Sequence, residues 1–169
     1  GITIRSLVYD KDRDLVYLGG YSGVFGVYNA STNITSNLME TDTGGWVGTT
    51  DIYKIEYDEN NDLVYLGGGG AADSLFGVYN ATNNVTYDLN SADSGNFIGS
   101  KDINSLAYDK SIGILYVGVE SGLLGSYNIS TNIMSDLSAT DSGDWIGVRD
   151  LNSLIYNPYN NLIYVGGGL

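Results

Sequence analysis

The chain has 169 residues, 43% of them apolar, and its 20 acidic and 7 basic side chains give a net charge of −13. A surface this acidic repels phosphate backbones and anionic lipid heads, which argues against nucleic acid and membrane insertion as partners. Cysteine and histidine are both absent. Their absence excludes disulfides, thiolate metal sites, cysteine nucleophiles and a histidine general base.

Three units of sequence repeat along the chain, and a fourth begins. VYLGG stands at residues 16–20 and 64–68, and its variants LYVGV and IYVGG stand at 115–119 and 163–167. The period of about 48–51 residues is typical of propeller blades. The sequence therefore predicts a single repeat region over residues 1–169, with units at 3–50, 51–101 and 102–149 and a partial unit at 150–169.

The third unit shows in chain order how each unit begins. Strand A is expected at 102–109, with Asn104, Leu106 and Tyr108 on one face because side chains alternate along a strand. Strand B is expected at 114–118, where the sequence ILYVG is apolar throughout. A continuous apolar run of this length predicts a strand that is buried on both faces.

The unit continues with two more strands. Strand C is expected at 123–128, and its inner Gly125 recurs in the other units as Gly26 and Gly77. A glycine at a fixed place in a strand indicates a bulge or the close approach of another chain segment. Strand D is expected at 133–137, and a crossing loop leads from it to the next strand A.

A single four-stranded meander cannot bury both faces of strand B, whereas sheets stacked around an axis can. The predicted fold is therefore all-β, a β-propeller built from four-stranded antiparallel blades, with three full repeats plus a half. Closed propellers typically have about four to eight blades. We therefore expect this chain to be completed by copies of itself, with a dimer favoured, or by the rest of a longer propeller. Fourteen strands per chain would give twenty-eight in a dimer, as many as seven blades need.

The repeats resemble two known families. Residues 156–168, YNPYNNLIYVGGG, together with 125–137, GSYNISTNIMSDL, resemble the YVTN-type propeller repeats of archaeal surface-layer proteins. Residues 103–128 equally resemble the propeller repeats in sensor regions of two-component regulators. The resemblance covers essentially the whole chain and implies the propeller fold. Neither family supplies a fixed catalytic residue that could be carried over.

Strand polarity predicts that the crossing loops and the B–C loops share one face of the propeller. Because function usually lies on longer, more varied loops, this face is the candidate functional face. One repeat position there is aromatic. It is interpreted either as a platform for sugars or another flat ligand, or as packing between blades. The residues at this position are Trp46, Phe97 and Trp145.

Two further positions on this face are candidate ligand-binding sites. The first position is acidic and begins strand A in the second, third and fourth units. Its carboxylates could form a ring around a cation such as calcium, or they could cap turns. Its members are Asp51, Asp102 and Asp150. The other is basic in two units, with Lys101 and Arg149, where the first unit has Thr50. No other cofactor and no dedicated metal site is expected, since DKDRD at 10–14 lacks the later Gly and Glu of a calcium loop.

The C–D turns contain five Asn-x-Ser/Thr sequons. Turn chemistry alone accounts for asparagine in such turns, and use as glycosylation sites is the alternative interpretation. The asparagines concerned are Asn29, Asn33, Asn80, Asn84 and Asn128.

The favoured functional hypothesis is a non-catalytic propeller, extracellular or at the cell surface, that serves structure, adhesion or the binding of a ligand, a glycan or surface proteins. One alternative is the sensor region of a two-component signalling receptor. Another is a propeller hydrolase or lyase that uses carboxylates. The enzyme ranks last because no distinctive acid pair separates one blade from the others.

Overall fold

The computed structural model describes residues 1–41, 45–70, 74–138 and 149–168, which form fourteen β-strands and four single turns of 3-10 helix. The first blade holds β1 (Ile4–Asp10), β2 (Leu15–Gly20), β3 (Phe25–Asn29) and β4 (Ile34–Asn37). The second holds β5 (Asp51–Asp58), β6 (Leu63–Gly69), β7 (Leu75–Asn80) and β8 (Val85–Asp88). The third holds β9 (Ile103–Asp109), β10 (Ile114–Val119), β11 (Leu123–Asn128) and β12 (Ile133–Asp136). The partial blade holds β13 (Asp150–Asn157) and β14 (Leu162–Gly168). The 3-10 turns are Tyr21–Gly23, Met39–Thr41, Asn90–Ala92 and Glu120–Gly122.

Each full blade is an antiparallel meander whose four strands pair in chain order, and β13 and β14 form a separate two-stranded sheet. This confirms the predicted all-β fold of three four-stranded blades followed by a partial one. No described helix is long and apolar enough to cross a membrane.

The hydrophobic core lies between the blades. One apolar cluster joins the first and second blades, and another joins the second and third. Strand B contributes to both faces, as its apolar sequence predicted, and in β6 Val64, Tyr65 and Leu66 are all at most 1% exposed. Burial of this kind contributes about 25 cal/mol for each Å² of apolar surface removed from water, so stacking stabilises each blade.

A glycine in strand B is the contact point for the next blade. A methyl group built on Gly19 would lie 2.6 Å from Ile52 Cγ2, and one on Gly67 would lie 2.7 Å from Ile103 Cγ2. We call these glycines the sockets and the strand-A residues above them the knobs. In the third interface the socket is Gly118, where a methyl group would lie 3.0 Å from the Leu151 knob. Any larger side chain at a socket would push the blades apart.

Strand A does not alternate as expected. In β9 the pairing with β10 skips Asn104, because Ile103 pairs with Val119 and Ser105 with Gly118. This β-bulge gives strand A an extra residue. Beyond the bulge, each side chain therefore lies on the opposite face of the sheet from the one that simple alternation predicts. The prediction that Asn104 shares a face with Leu106 is therefore wrong. Ile103 takes that place and packs with Leu106 against Gly67.

Most hairpin turns are closed by a tyrosine hydroxyl. Tyr57 donates to Asp62 Oδ1 at 3.0 Å, and Tyr79 donates to Asn84 Oδ1 at 2.8 Å, five residues further on in each case. Both acceptors have positive φ, 61° and 59°. Asp and Asn tolerate this left-handed backbone better than other side-chain residues. The spacing Tyr-x4-Asx therefore fixes both the A–B and the C–D turns.

Candidate functional site

In the described part of the chain, the first two crossing loops lie on the same face as the B–C loops, as strand polarity predicted. Ser74, in the second B–C loop, donates its hydroxyl to the carbonyl oxygen of Gly99 in the following crossing loop at 2.7 Å. The first B–C loop is tied to the next blade through Ser22, whose backbone N–H donates to Asp51 Oδ1 at 2.7 Å.

Two of the three predicted aromatic residues pack between blades. The ring of Trp46 lies on Gly77 so closely that a methyl group there would overlap the indole. Phe97 covers Gly125 in the same way, since a methyl group at that glycine would lie 2.5 Å from Phe97 Cε1. The recurring strand-C glycine is therefore the seat of the crossing-loop aromatic. Trp145 lies outside the described residues.

Trp46 also faces a polar cavity, which we call the crossing-face cavity. Its volume is about 380 Å³, and it lies between the first two crossing loops and the second B–C loop. The indole Nε1 of Trp46 is buried and has no hydrogen-bond partner among the described residues. The cavity is lined by Trp46, Thr50, Ser74, Asp88, Asn90, Asp93, Asn96, Gly99 and Ser100.

The walls of this cavity are fixed by local hydrogen bonds. Asp93 accepts the backbone N–H of Phe97 through Oδ1 and that of Ile98 through Oδ2, both at 2.7 Å. Asp88 Oδ1 accepts the backbone N–H of Asn90 at 2.8 Å. Carboxylates, amides and hydroxyls together suit a neutral polyhydroxyl ligand or a cation. The two carboxylates disfavour an anion.

The three predicted acidic residues lie at the blade boundaries. Asp51 and Asp150 each cap the B–C turn of the preceding blade, and Asp150 Oδ1 accepts the backbone N–H of Ser121 at 3.0 Å. Asp102 lies beside Gly69 and Tyr53, and burial together with the Asp102 charge raises the pKa of Tyr53 to about 12. Among the described residues, no three acidic side chains are grouped so as to share a metal ion.

The two predicted basic residues lie apart from the cavity. Lys101 is half-buried, and its backbone N–H donates to the carbonyl oxygen of Ile98 at 3.1 Å. Arg149 is exposed beside Gly167 of the partial blade. Neither is among the described residues that line the cavity.

The sequon asparagines occupy two different settings in the C–D turns. The first asparagine of each turn is half-buried, and its side-chain oxygen holds the turn. Asn80 Oδ1, for example, accepts the backbone N–H of Thr82 at 2.9 Å. The second is exposed at positive φ, as at Asn33 (58°) and Asn84 (59°). Asn29 and Asn128 belong to the first setting, with backbone N–H bonds from Thr32 and Thr131.

The opposite face carries buried carboxylates that sequence reasoning did not single out. Asp10, Asp58 and Asp109 are each at most 1% exposed at the start of an A–B turn. Burial raises the pKa of Asp10, but hydrogen bonds from the Arg13 guanidinium and the turn N–H groups bring it below its ordinary value. The DKDRD segment is therefore a hairpin turn in which Arg13 supplies the counter-charge.

The partner of the second carboxylate oxygen differs from blade to blade. Arg13 Nε donates to Asp10 Oδ2 at 2.5 Å, and Asn61 Nδ2 donates to Asp58 Oδ2 at 2.7 Å. In the third blade Ile112 stands at that position, and Asp109 Oδ2 is buried with no hydrogen-bond partner in the described part of the chain. Tyr156 lies near this carboxylate, but its hydroxyl donates to Asn161 Oδ1 at 2.9 Å.

The cavity residues other than Trp46 were also missed from the sequence. Several of them differ from their counterparts in the other units, and this difference between repeats could have identified them from the sequence. Asn90 stands where the other units have Met39 and Ser138. Asn96 stands where the first unit has Gly45. Positions that vary between repeats indicate a site that belongs to one repeat.

Comparison with known proteins shows the fold. No protein-family model and no curated protein matches the chain. Among solved structures, the chain is similar to the extracellular domain of a hybrid two component system from B. thetaiotaomicron (TM-score 0.69, 19% identity), with 97% of this chain and 19% of that chain covered. It is also similar to a chain of a nidogen/laminin complex (TM-score 0.70, 14% identity, 97% and 56% covered). A third is a chain of a mitotic checkpoint complex (TM-score 0.65, 17% identity, 96% and 44% covered). The chain thus spans about a fifth of the bacterial extracellular domain, and all three likenesses are those of β-propeller blades.

Proposed function

We propose that this protein is a non-catalytic propeller, extracellular or at the cell surface, that binds a neutral polyhydroxyl ligand such as a saccharide in the crossing-face cavity. The observation that carries the proposal is the composition of this cavity, whose walls combine carboxylate, amide and hydroxyl side chains with the half-buried ring of Trp46. Pockets that bind small molecules typically combine an apolar or aromatic wall with a few polar groups that fix the ligand's orientation.

The chemistry of the cavity supports a saccharide over a charged ligand. Asp88 and Asp93 present acceptors to ligand hydroxyls, while Asn90 and Asn96 present amide donors. A polyhydroxyl ligand needs both kinds of group at close spacing, whereas a cation would leave the amide N–H groups unpaired. Glycans on the exposed Asn33 and Asn84 would lie on the opposite face and leave the cavity open, which suits a surface protein.

A sensor role is the second candidate. The similar bacterial structure is the extracellular domain of a hybrid two component system, so the same fold occurs outside the cell in signalling proteins. In that case the crossing-face cavity would hold the signal molecule. The ligand class is the same under both candidates, so one binding experiment serves both.

Binding is tested with an array of neutral oligosaccharides, followed by calorimetry with the best binder and, separately, with calcium chloride. We expect saccharide binding that Trp46→Phe weakens about fivefold, a loss of about 1 kcal/mol, because the smaller ring removes part of the aromatic wall of the cavity. The fold should survive this change, since Phe97 fills the same seat on Gly125. Failure of every saccharide, or binding of calcium alone, would contradict the proposal.

Asp88→Asn offers a second variant with a matched control. Asn37 makes the same turn in the first blade, accepting the backbone N–H of Met39 at 3.0 Å, so asparagine preserves the turn. Asp136 is the counterpart in the third blade and accepts the backbone N–H of Ser138 at 2.7 Å. We expect Asp88→Asn to weaken saccharide binding and Asp136→Asn to leave it unchanged. Equal effects would mean that binding lies elsewhere.

We also propose that the working molecule is a closed ring, completed by copies of this chain or by further blades of a longer polypeptide. The support is that both end sheets expose apolar side chains, including Leu7 at 58% and Ile155 at 63%. Exposed sheet faces and edges of this kind recruit other chains.

A further inference from the structure

The two ends of the blade stack carry the two halves of the interface that forms between its blades. In the second blade, Ile52 and Ile55 are 0% exposed because they lie on the Gly19 socket. Their counterparts in the first blade are Ile4 and Leu7, which are 40% and 58% exposed. The first blade therefore presents knobs with no socket above them among the described residues.

The partial blade presents the matching socket. Gly166 is the counterpart of the sockets Gly19, Gly67 and Gly118. A methyl group built on Gly166 would meet nothing closer than Ser153 Cβ at 3.6 Å, an atom of its own sheet. This socket therefore receives no knob from the described part of the chain.

The exposure of the tyrosine two residues before each socket glycine also shows that the partial blade has no neighbour among the described residues. Tyr17 and Tyr65 are 2% and 1% exposed, because a full blade covers each of them. Tyr116, which only the partial blade covers, is half-buried, and Tyr164 of the partial blade is 51% exposed. Burial at this position therefore follows the amount of sheet stacked above it.

From these surfaces we infer that a second copy of this chain docks head to tail, with Ile4 and Leu7 of one copy seated over Gly166 and Tyr164 of the other. The occupant is a second copy because one chain carries both halves of an interface that its own blades form repeatedly. Each contact joins two different surfaces of the chain, so copies joined in this way either close into a ring or grow into a filament.

Two copies supply eight sheets, because β13 and β14 form a sheet of their own and each chain has four. Eight is the upper end of the usual range of blade numbers. The dimer therefore has eight sheets rather than the seven four-stranded blades expected from the strand count. Seven blades would require the two partial sheets to merge into one. It sharpens the closed-ring proposal and rests on it, and it is independent of ligand binding.

Charge repulsion opposes the association and makes it depend on salt concentration. Each copy carries a net charge of −13, so two copies repel one another at low ionic strength. Added salt screens this repulsion while the apolar contact persists. We therefore expect association to strengthen as sodium chloride is raised.

The test is sedimentation velocity of the 169-residue chain over a range of concentrations and salt, with variants on each surface. Leu7→Asp removes a knob, and Gly166→Val fills the socket. Ile133→Asp is the control, because Ile133 is 53% exposed on the outermost strand of the third blade, away from both end faces. Circular dichroism establishes that each variant is folded.

We expect the wild type and Ile133→Asp to form a species of twice the 18.1 kDa chain mass. Leu7→Asp and Gly166→Val should each remain monomeric at concentrations about tenfold above the wild-type midpoint. Mixed together, the two variants should form a dimer, because one intact knob surface and one intact socket remain. Complementation requires that the contact joins two different surfaces, one from each copy.

Three results would overturn the inference in different ways. A wild type that stays monomeric at every concentration and salt would overturn self-association, and with it ring closure by copies. A wild-type dimer that neither variant weakens would leave the closed ring standing and overturn the knob-and-socket interface. Growth into species larger than two copies would overturn the two-copy ring.

Discussion

The first and second blades have nearly the same sequence pattern but very different burial. Ile55 is 0% exposed in the second blade, whereas its counterpart Leu7 is 58% exposed in the first. The strand-C glycine also differs, since Gly77 is covered by Trp46 while Gly26 is closest to an atom of its own sheet. The comparison teaches that the repeat determines the blade, while neighbouring blades determine how much each residue contributes to stability.

Alanine substitution at the matched knob positions tests this difference most strongly. We expect Ile55→Ala to lower the free energy of unfolding by about 2–5 kcal/mol, because it opens a cavity in the core. Leu7→Ala should cost less than about 1 kcal/mol, since most of that side chain is already in water. Urea denaturation at a concentration where the chain is monomeric measures both. Equal losses would mean that the exposed face of the first blade is covered in solution.

The strand-C glycines offer a second pair. Gly77→Ala should cost about 1–3 kcal/mol, because its methyl group overlaps Trp46 and forces a shift between two blades. Gly26→Ala should cost less, since its methyl group would meet only Ser36 O at 3.0 Å and Leu18 Cδ1 at 4.0 Å.

A double-mutant cycle identifies the cause of that cost. Trp46→Ala removes the overlapping ring, so Gly77→Ala should be better tolerated in that background than in the wild type. Thermal unfolding of the four proteins gives the coupling between the two positions. Additive effects would show that the clash between Trp46 and position 77 is not what makes glycine necessary.

The smallest expected effect compares the second and third A–B turns. Ile112→Asn should raise the free energy of unfolding by about 1 kcal/mol, because it gives buried Asp109 Oδ2 the donor that Asn61 gives Asp58. Asn61→Ile is the reciprocal change and should destabilise by a similar amount or more. Both are measured by urea denaturation near neutral pH. A destabilised Ile112→Asn variant would show that the carboxylate oxygen has another partner.

Much of the fold was predictable because strand signals and repeat signals agreed. The apolar run at 114–118 predicted strand B, and the observed strand is Ile114–Val119. The bulge at Asn104 was not predictable from alternation, because a β-bulge adds a residue that interrupts the strict period of two. Repetition identifies what each blade shares but not the spatial fit between neighbouring blades.

The site was predicted only in part. Trp46 and the candidate functional face were identified from repeat position and strand polarity. Trp46 packs between blades, which is one of the two interpretations given to it. Its partnership with Asp88 and Asn90 was not predictable, because these residues are more than forty positions away and meet Trp46 only when two blades stack. Whether Trp46 Nε1 finds a partner among the described residues likewise depends on the three-dimensional arrangement rather than on residue type.

The sockets have a consequence for how such a chain can change in length. Because each socket receives a branched aliphatic knob at the same repeat position, one unit can follow another without any adjustment at the junction. Duplicating or deleting the segment 51–101 in frame would therefore join surfaces that already fit each other. A gene built in this way can gain or lose whole blades by recombination. Each such event changes the length of the chain by one repeat.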